Sequence, residues 1–192
     1  IIGWTRWADG TTGGAFYSNP EKTFAANQGW HILAGSPATN IPASGSVSYE
    51  LVGATAPTIR DGSLAPGSFS GNLAVAFGAT PMAGFDFAVA IGGSNYSFGT
   101  AGGASDPGNG GRPIETTGEF AFTFFGNGLP VTGSGPVCAG AAACSASLRG
   151  FLAGDAASHV GISYTFGSGT FDQRVDGVAA FGMAGFEHAK GY

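Results

Sequence analysis

The chain has 192 residues, which suits one domain with its own hydrophobic core. Its aromatic content of 12% excludes ordinary disorder, and its 36 glycines exclude long helices, since glycine costs about 1 kcal/mol per interior helical site. The net charge is −5 and the seven Lys and Arg residues are scattered singly, so the sequence offers no basic patch for nucleic acid. We expect a single domain over residues 1–192.

Strands are predicted wherever large apolar residues alternate with small or polar ones. In chain order the expected strands are Trp4–Trp7, Ala15–Ser18, Trp30–Leu33, Gly45–Val52, Ser68–Phe77, Phe85–Ile91, Ser94–Gly99, Glu119–Phe125, Ser145–Phe151, Val160–Phe166 and Val178–Met183. In Gly45–Val52, for example, Val47, Tyr49 and Leu51 share one face, and Ser46, Ser48 and Glu50 share the other.

Segments rich in glycine and proline, such as GSPATNIPASG and ASDPGNGGRP, separate these strands and are expected to form turns and surface loops. No helical pattern lies between strands, which favours antiparallel neighbours over parallel crossovers. The fold class is therefore all-β: a single antiparallel up-and-down β-barrel of about eight strands with Gly/Pro-rich loops.

The face opposite the large side chains is poor in charge, with no charged residue between Glu119 and Arg149. An ordinary solvated barrel would carry Lys, Arg and Glu there. Either this outer face packs against something or the protein tolerates a neutral surface. An outer-membrane barrel is a further alternative, which the low charge and the final Tyr192 favour.

Cys138 and Cys144 stand five small residues apart, a spacing that lets the two sulfurs meet in a tight loop. We predict a local disulfide, with two free thiols as the alternative. A disulfide implies an oxidising, extracytoplasmic location, such as the outer-membrane surface, the periplasm or the medium. The opening IIGWTRWADG predicts a mature fragment of a longer chain, and no apolar stretch predicts a transmembrane helix.

Candidate ligand-binding residues are His31, His159 and Trp30. Together with His188, the histidines are far apart in sequence, so no metal site is predicted. No resident cofactor is expected either; haem ligation by His31 or His159, with Tyr49 or Tyr164, is the alternative. Trp4, Trp7 and Trp30 are expected to anchor the base of the barrel, or else to line a ligand mouth.

Catalytic patterns are missing from the sequence. No G-x-S-x-G elbow stands between a strand and a helix, and the acidic residues mostly occupy turns, as in Arg60-Asp61-Gly62. The glycine-rich SFGTAGGASDPGNGGRP lacks the Lys-Ser/Thr ending of a phosphate-binding loop. The sequence therefore predicts a protein that is not an enzyme.

The segment RGFLAGDAASHVGISYTF (149–166), followed by VDGVAAF (175–181), resembles the closing motif of transferrin-binding-protein-like β-barrels. Asp155 stands where that motif usually has proline, and His159 stands where glutamate is common. WTRWADG, GWHILAG and SGSVSYELVGATAPT resemble a subgroup, the C-terminal barrels of FecR-domain-containing proteobacterial proteins. The residues that fit the closing motif are Gly150, Phe151, Gly154, Ala157 and Gly161.

The resemblance implies an eight-stranded, secreted or surface-anchored, non-enzymatic barrel of a family whose members capture host iron proteins or haem. Its binding residues lie in variable loops, so none is transferred to this chain. Gly150, Gly154, Gly161 and Gly177 are expected to be structural, because glycine allows tight reversals and bends at barrel corners.

Together these inferences predict a cell-surface binding module that captures a protein or a small ligand such as haem. The alternative is a structural subunit of a surface assembly, filament or envelope complex, packed through its charge-poor outer face. Its partners would then be copies of itself or other surface proteins.

Overall fold

The computed structural model describes residues 1–13, 21–117, 120–139 and 143–185. The expected strand Ala15–Ser18 and His188 lie outside these ranges. The strands of the described residues are β1 (Ile2–Trp7), β2 (Gly10–Thr11), β3 (Thr23–Phe24), β4 (Trp30–Gly35), β5 (Gly45–Ala54), β6 (Thr58–Ile59), β7 (Ser68–Phe77), β8 (Met82–Ile91), β9 (Ser94–Gly99), β10 (Arg112–Thr117), β11 (Phe120–Pro130), β12 (Ser145–Ala153), β13 (His159–Gly167) and β14 (Val175–Met183).

Eight of these strands form a nearly closed antiparallel barrel in which strands that follow one another along the chain are neighbours. They are β5, β7, β8 and β10 to β14. β14 returns to β5 through the pairs Ala179–Ala54 to Met183–Tyr49. β10 meets β8 through only Arg112–Ala83 and Pro113–Met82, and β9 extends the wall beside β8. The predicted all-β barrel of about eight strands is confirmed.

Aromatic side chains fill the interior of the barrel. Phe85 and Phe87, two residues apart on one face of β8, are 0% and 2% exposed, and their ring centroids lie 4.8 Å apart. Phe69 of β7 stacks on Tyr164 of β13 at 5.1 Å, which links opposite walls. Each large apolar side chain buried in this way contributes about 1.5–3 kcal/mol. The period-two alternation therefore assigned the inner face correctly in these strands.

The structure corrects two expectations about individual elements. The segment ASDPGNGGRP was expected to be loop throughout, but β10 begins at Arg112 inside it. Pro113 fits there because it lies near the start of the strand, where a missing N–H costs little. Trp4, Trp7 and Trp30 do not anchor the base of the barrel; they belong to β1 and β4, which lie outside it.

Residues 1–13 and 21–35 form an N-terminal hairpin, in which β1 pairs with β4 and β2 pairs with β3. The hairpin packs on the outer face of the barrel over β5, β13 and β14. Val178 and Ala180 point outward from β14, yet they are 2% and 0% exposed. Part of the charge-poor outer face is therefore covered by the chain itself.

Candidate functional site

The predicted disulfide is present between Cys138 and Cys144, whose Cα atoms lie 5.3 Å apart. It closes the connection from β11 to β12. The backbone N–H of the neighbouring Val137 donates to the hydroxyl of Tyr96, 3.2 Å away, which ties the connection to β9. The disulfide indicates an oxidising, extracytoplasmic environment. Among the described residues, no helix is long and apolar enough to cross a membrane.

The four glycines singled out in the sequence occupy different places. Gly154 lies in the reversal between β12 and β13 with φ +77°, a conformation that favours glycine. Gly161 faces the N-terminal hairpin, where a Cβ would lie 2.6 Å from the ring of Phe151. Gly177 lies opposite Tyr164, whose ring occupies the space that a side chain would need. Gly150 is buried within β12.

His31 joins the N-terminal hairpin to the barrel. Its Nδ1 lies 2.7 Å from the hydroxyl of Thr55, and its Nε2 lies 2.8 Å from the hydroxyl of Thr58. Burial lowers the pKa of His31 to about 4, an effect that Asp176 opposes and Arg6 reinforces. The imidazole is therefore neutral at pH 7, and both of its nitrogens are engaged in hydrogen bonds.

The residues considered for haem do not converge. Tyr49 and Tyr164 belong to the core inside the barrel, whereas His31 lies between the hairpin and the outer wall. His159 sits at the start of β13, where its Nδ1 lies 3.0 Å from the hydroxyl of Ser158. The part of the chain that the structure describes contains no group of three or more His, Cys, Asp or Glu residues suited to a metal ion.

A groove of about 700 Å³ lies between the N-terminal hairpin and the outer face of β12 to β14. We call it the hairpin groove. Its lining residues from the hairpin include Thr12, Lys22, Phe24, Gln28, Trp30 and His31. Those from the barrel and its loops include Thr58, Arg60, Asn127, Ser147, Arg149, Ser163, Thr165, Phe171 and Asp176. The volume falls in the range of about 300–1,000 Å³ that is usual for small-molecule sites.

One end of the hairpin groove is held by Arg60. Its guanidinium donates to the carboxylate of Asp176 through Nε at 2.5 Å and Nη2 at 2.9 Å. It also stacks on the ring of Phe171, with Cζ 3.9 Å from the ring centroid, and reaches the hydroxyl of Thr165. Because its charge is paired in this fork, Arg60 builds the wall of the groove rather than offering a free cation.

Two further cations line the hairpin groove without an ion pair among the described residues. Lys22 holds its ammonium nitrogen 4.9 Å from the ring centroid of Phe24, and Arg149 lies over Phe125 at 5.6 Å. Such contacts with ring faces restrain a cation without consuming its N–H donors. Lys22 and Arg149 therefore remain able to bind an anion.

Two serine hydroxyls lie beside Arg149 on the floor of the hairpin groove. Ser163 lies directly opposite Arg149 in the β12–β13 ladder, and Ser147 lies two residues away on the same face. Neither serine side chain makes a hydrogen bond to any described residue. The floor thus offers two hydroxyls beside a guanidinium, and none of the three donates a hydrogen bond to a described residue.

Of the predicted binding residues, the structure places Trp30 and His31 at the hairpin groove and His159 outside its lining. Sequence reasoning missed Lys22, Arg60, Arg149 and Phe171. The cations looked scattered because they are 38 and 89 residues apart along the chain, and only the docked hairpin brings them to one place. An outward-facing Arg149 in an otherwise uncharged stretch was the one available signal.

The chain matches no protein family, curated protein or solved structure with which it was compared. The resemblance to transferrin-binding-protein-like barrels therefore remains a prediction from the motifs. The function has to be inferred from the geometry of the hairpin groove.

Proposed function

We propose that the protein is a non-enzymatic binding module of an oxidising, extracytoplasmic compartment, and that it holds a small ligand in the hairpin groove. The observation that supports this most directly is the contrast between inside and outside. Aromatic rings occupy the barrel interior, whereas the groove on its outer wall offers hydroxyls and two cations, Lys22 and Arg149, that form no ion pair with a described residue.

The dimensions of the hairpin groove favour a small ligand over a protein. A stable protein interface usually takes about 800 Å² from each partner, presented as a broad surface. The groove is instead an open cleft of about 700 Å³ between two walls, with Phe24 and Trp30 on the hairpin side and Phe171 on the barrel side. Concave sites of this size, in which aromatic side chains lie beside polar groups that fix the orientation of the ligand, are typical for small molecules.

The test is to fill the groove while leaving its cationic residues unsubstituted. Ser163→Trp places an indole on the groove floor, where the serine makes no side-chain hydrogen bond to described residues. Ser70→Trp, at an exposed position of β7, is the matched control. We expect the wild-type chain and the Ser70→Trp variant, purified natively from the source organism, to carry a small molecule that mass spectrometry detects, and Ser163→Trp to lack it.

Retention of the same molecule by Ser163→Trp would refute the hairpin groove as the site. Thermal unfolding of the three chains separates loss of ligand from loss of fold. Equal amounts of the co-purified small molecule in Ser163→Trp and Ser70→Trp, at unchanged stability, would likewise contradict the proposal.

A second candidate function follows from the part of the outer wall that the hairpin leaves uncovered. Ser70, Asn72 and Ser97 are exposed there among small neighbours. Glu50 and Asp86 are acidic residues of the same surface. This surface suits the alternative of a structural subunit, packed through its charge-poor outer face. The oligomeric state of charge-bearing variants decides that alternative.

A further inference from the structure

We infer that the ligand of the hairpin groove is a small organic anion that joins a carboxylate to a planar apolar ring. The inference rests on the binding function proposed above and names the chemistry of its ligand. It is carried by the charges of the groove, by the hydroxyls on its floor and by the aromatic side chains of its walls.

The charge of the hairpin groove is opposite to that of the whole chain. The chain carries 12 acidic and seven basic residues, yet the groove lining contains three of the basic residues and one acid, Asp176. Asp176 is paired with Arg60. Lys22 and Arg149 are left as local positive charge on a protein of net charge −5, which favours an anion in the groove.

The donors around Arg149 suit a carboxylate. A guanidinium presents N–H groups in a planar fork that matches the two oxygens of a carboxylate, and such charge-assisted hydrogen bonds are among the stronger ones in proteins. Ser147 and Ser163 add hydroxyl donors on the same face of the sheet. Lys22 supplies a second, flexible positive charge from the hairpin side.

The walls suit a flat apolar body rather than a second charged group. On the hairpin side Trp30 lines the groove, with the buried Phe24 behind it at 6.2 Å between ring centroids, and on the barrel side the exposed Phe171 is held by Arg60. Aromatic side chains bind rings through offset or edge-to-face contacts, and they contribute little to binding a bare ion. An inorganic anion alone would leave these walls unused.

The experiment compares three probes that separate the ring from the charge. 2-Naphthoate carries both, 2-naphthamide keeps the ring without the charge, and acetate keeps the charge without the ring. Binding to the full chain is followed by calorimetry and by the fluorescence of tryptophan, since Trp30 lines the groove. We expect 2-naphthoate to bind about 10-fold more tightly than 2-naphthamide, as a hydrogen-bonded charge requires. Acetate should bind more weakly than either.

Variants assign the charge to its residue. Arg149→Gln should weaken 2-naphthoate about 10-fold and leave 2-naphthamide unchanged, and Lys22→Gln should weaken 2-naphthoate by a smaller factor because an exposed ammonium is well hydrated. Arg174→Gln removes one positive charge outside the lining of the groove and should change neither probe.

Equal affinity of 2-naphthoate and 2-naphthamide, or unchanged 2-naphthoate binding by Arg149→Gln, would overturn the inference. If Ser163→Trp then still abolishes binding of both probes, the groove remains a binding site and only the ligand class is wrong. Absence of binding by both probes overturns the inference as well. Retention of the native ligand by Ser163→Trp is the separate result that would overturn the proposed function.

Discussion

The outer wall of the barrel has two sides that look alike in sequence and differ in structure. On the docked side, the N-terminal hairpin packs over β5, β13 and β14, and small residues are buried beneath it. On the bare side, Ser70, Asn72 and Ser97 of β7 and β9 face a broad concavity of about 1000 Å³. Both sides are poor in charge, so composition alone does not separate a surface that packs from one that faces solvent.

The difference lies in what each small residue allows. A Cβ on Gly53 would meet the indole of Trp4, and one on Gly161 would lie 2.9 Å from Leu33. Glycine on the docked side therefore makes room for large hairpin side chains. Gly3 lies on the outer face of the hairpin itself, where a Cβ would meet no described atom within 4 Å, so no described neighbour requires glycine at this position.

The largest expected effect concerns pH and the attachment of the docked side. The pKa of His31 is about 4 when folded and near 6.5 when exposed, so the unfolded chain takes up the proton first as pH falls. The stability due to neutral His31 is fully present above pH 6.5 and is lost towards pH 4, by up to about 3 kcal/mol. Urea unfolding between pH 7 and pH 4 measures this loss.

The variant His31→Gln should be less stable at pH 7 and should show less of this decline, because it has no imidazole to protonate. His159→Gln, outside the hairpin interface with Thr55 and Thr58, should keep the contribution of His31. An equal decline in His31→Gln and the wild-type chain would show that the hairpin is not held in this way.

A smaller effect is expected from filling the space on the docked side. Gly161→Val forces a side chain against Phe151 and Leu33 and should cost about 1–3 kcal/mol, as overpacking does elsewhere. Gly3→Val makes the same replacement in a strand with open space and should change stability by less than about 0.5 kcal/mol. Equal costs for the two variants in urea unfolding would contradict the docked packing of the hairpin.

The smallest effect is expected on the bare side. Ser70→Lys and Ser97→Lys add charge to exposed positions and should change the free energy of unfolding by less than about 0.5 kcal/mol. Sedimentation should show the same oligomeric state before and after. Dissociation of a larger assembly by these lysines would instead favour the structural-subunit alternative.

The barrel and the disulfide could be predicted because both depend on residues that are close together in sequence. Phe85, Phe87 and Val89 show within five residues that they share one face, because side chains on a strand return to the same face every two residues. The two strand ranges Ser68–Phe77 and Ser94–Gly99 were predicted to the residue. The disulfide could be predicted for the same reason, because Cys138 and Cys144 are only six positions apart in sequence.

The hairpin groove could not be predicted in the same way. It depends on where β1 and β4 dock, and that is decided by contacts such as Trp4 with Gly53 and His31 with Thr55, which the sequence pattern of β1 or β4 does not encode. The pairing of Arg60 with Asp176 joins residues 116 positions apart. Local periodicity carries no information about such distant partners.

The docked hairpin also has a consequence for the order of folding. β1 and β4 precede the barrel strands along the chain, yet they rest on β13 and β14, the last two strands of the barrel in chain order. The surface on which they pack forms only when β14 has paired with β5 and closed the barrel. Pairing between parts of the chain so far apart in sequence is slow. Trp4, Trp7 and Trp30 are the three tryptophans of the chain, and all lie in the hairpin. Tryptophan fluorescence should therefore report the last phase of refolding, in which the hairpin docks on the completed barrel wall.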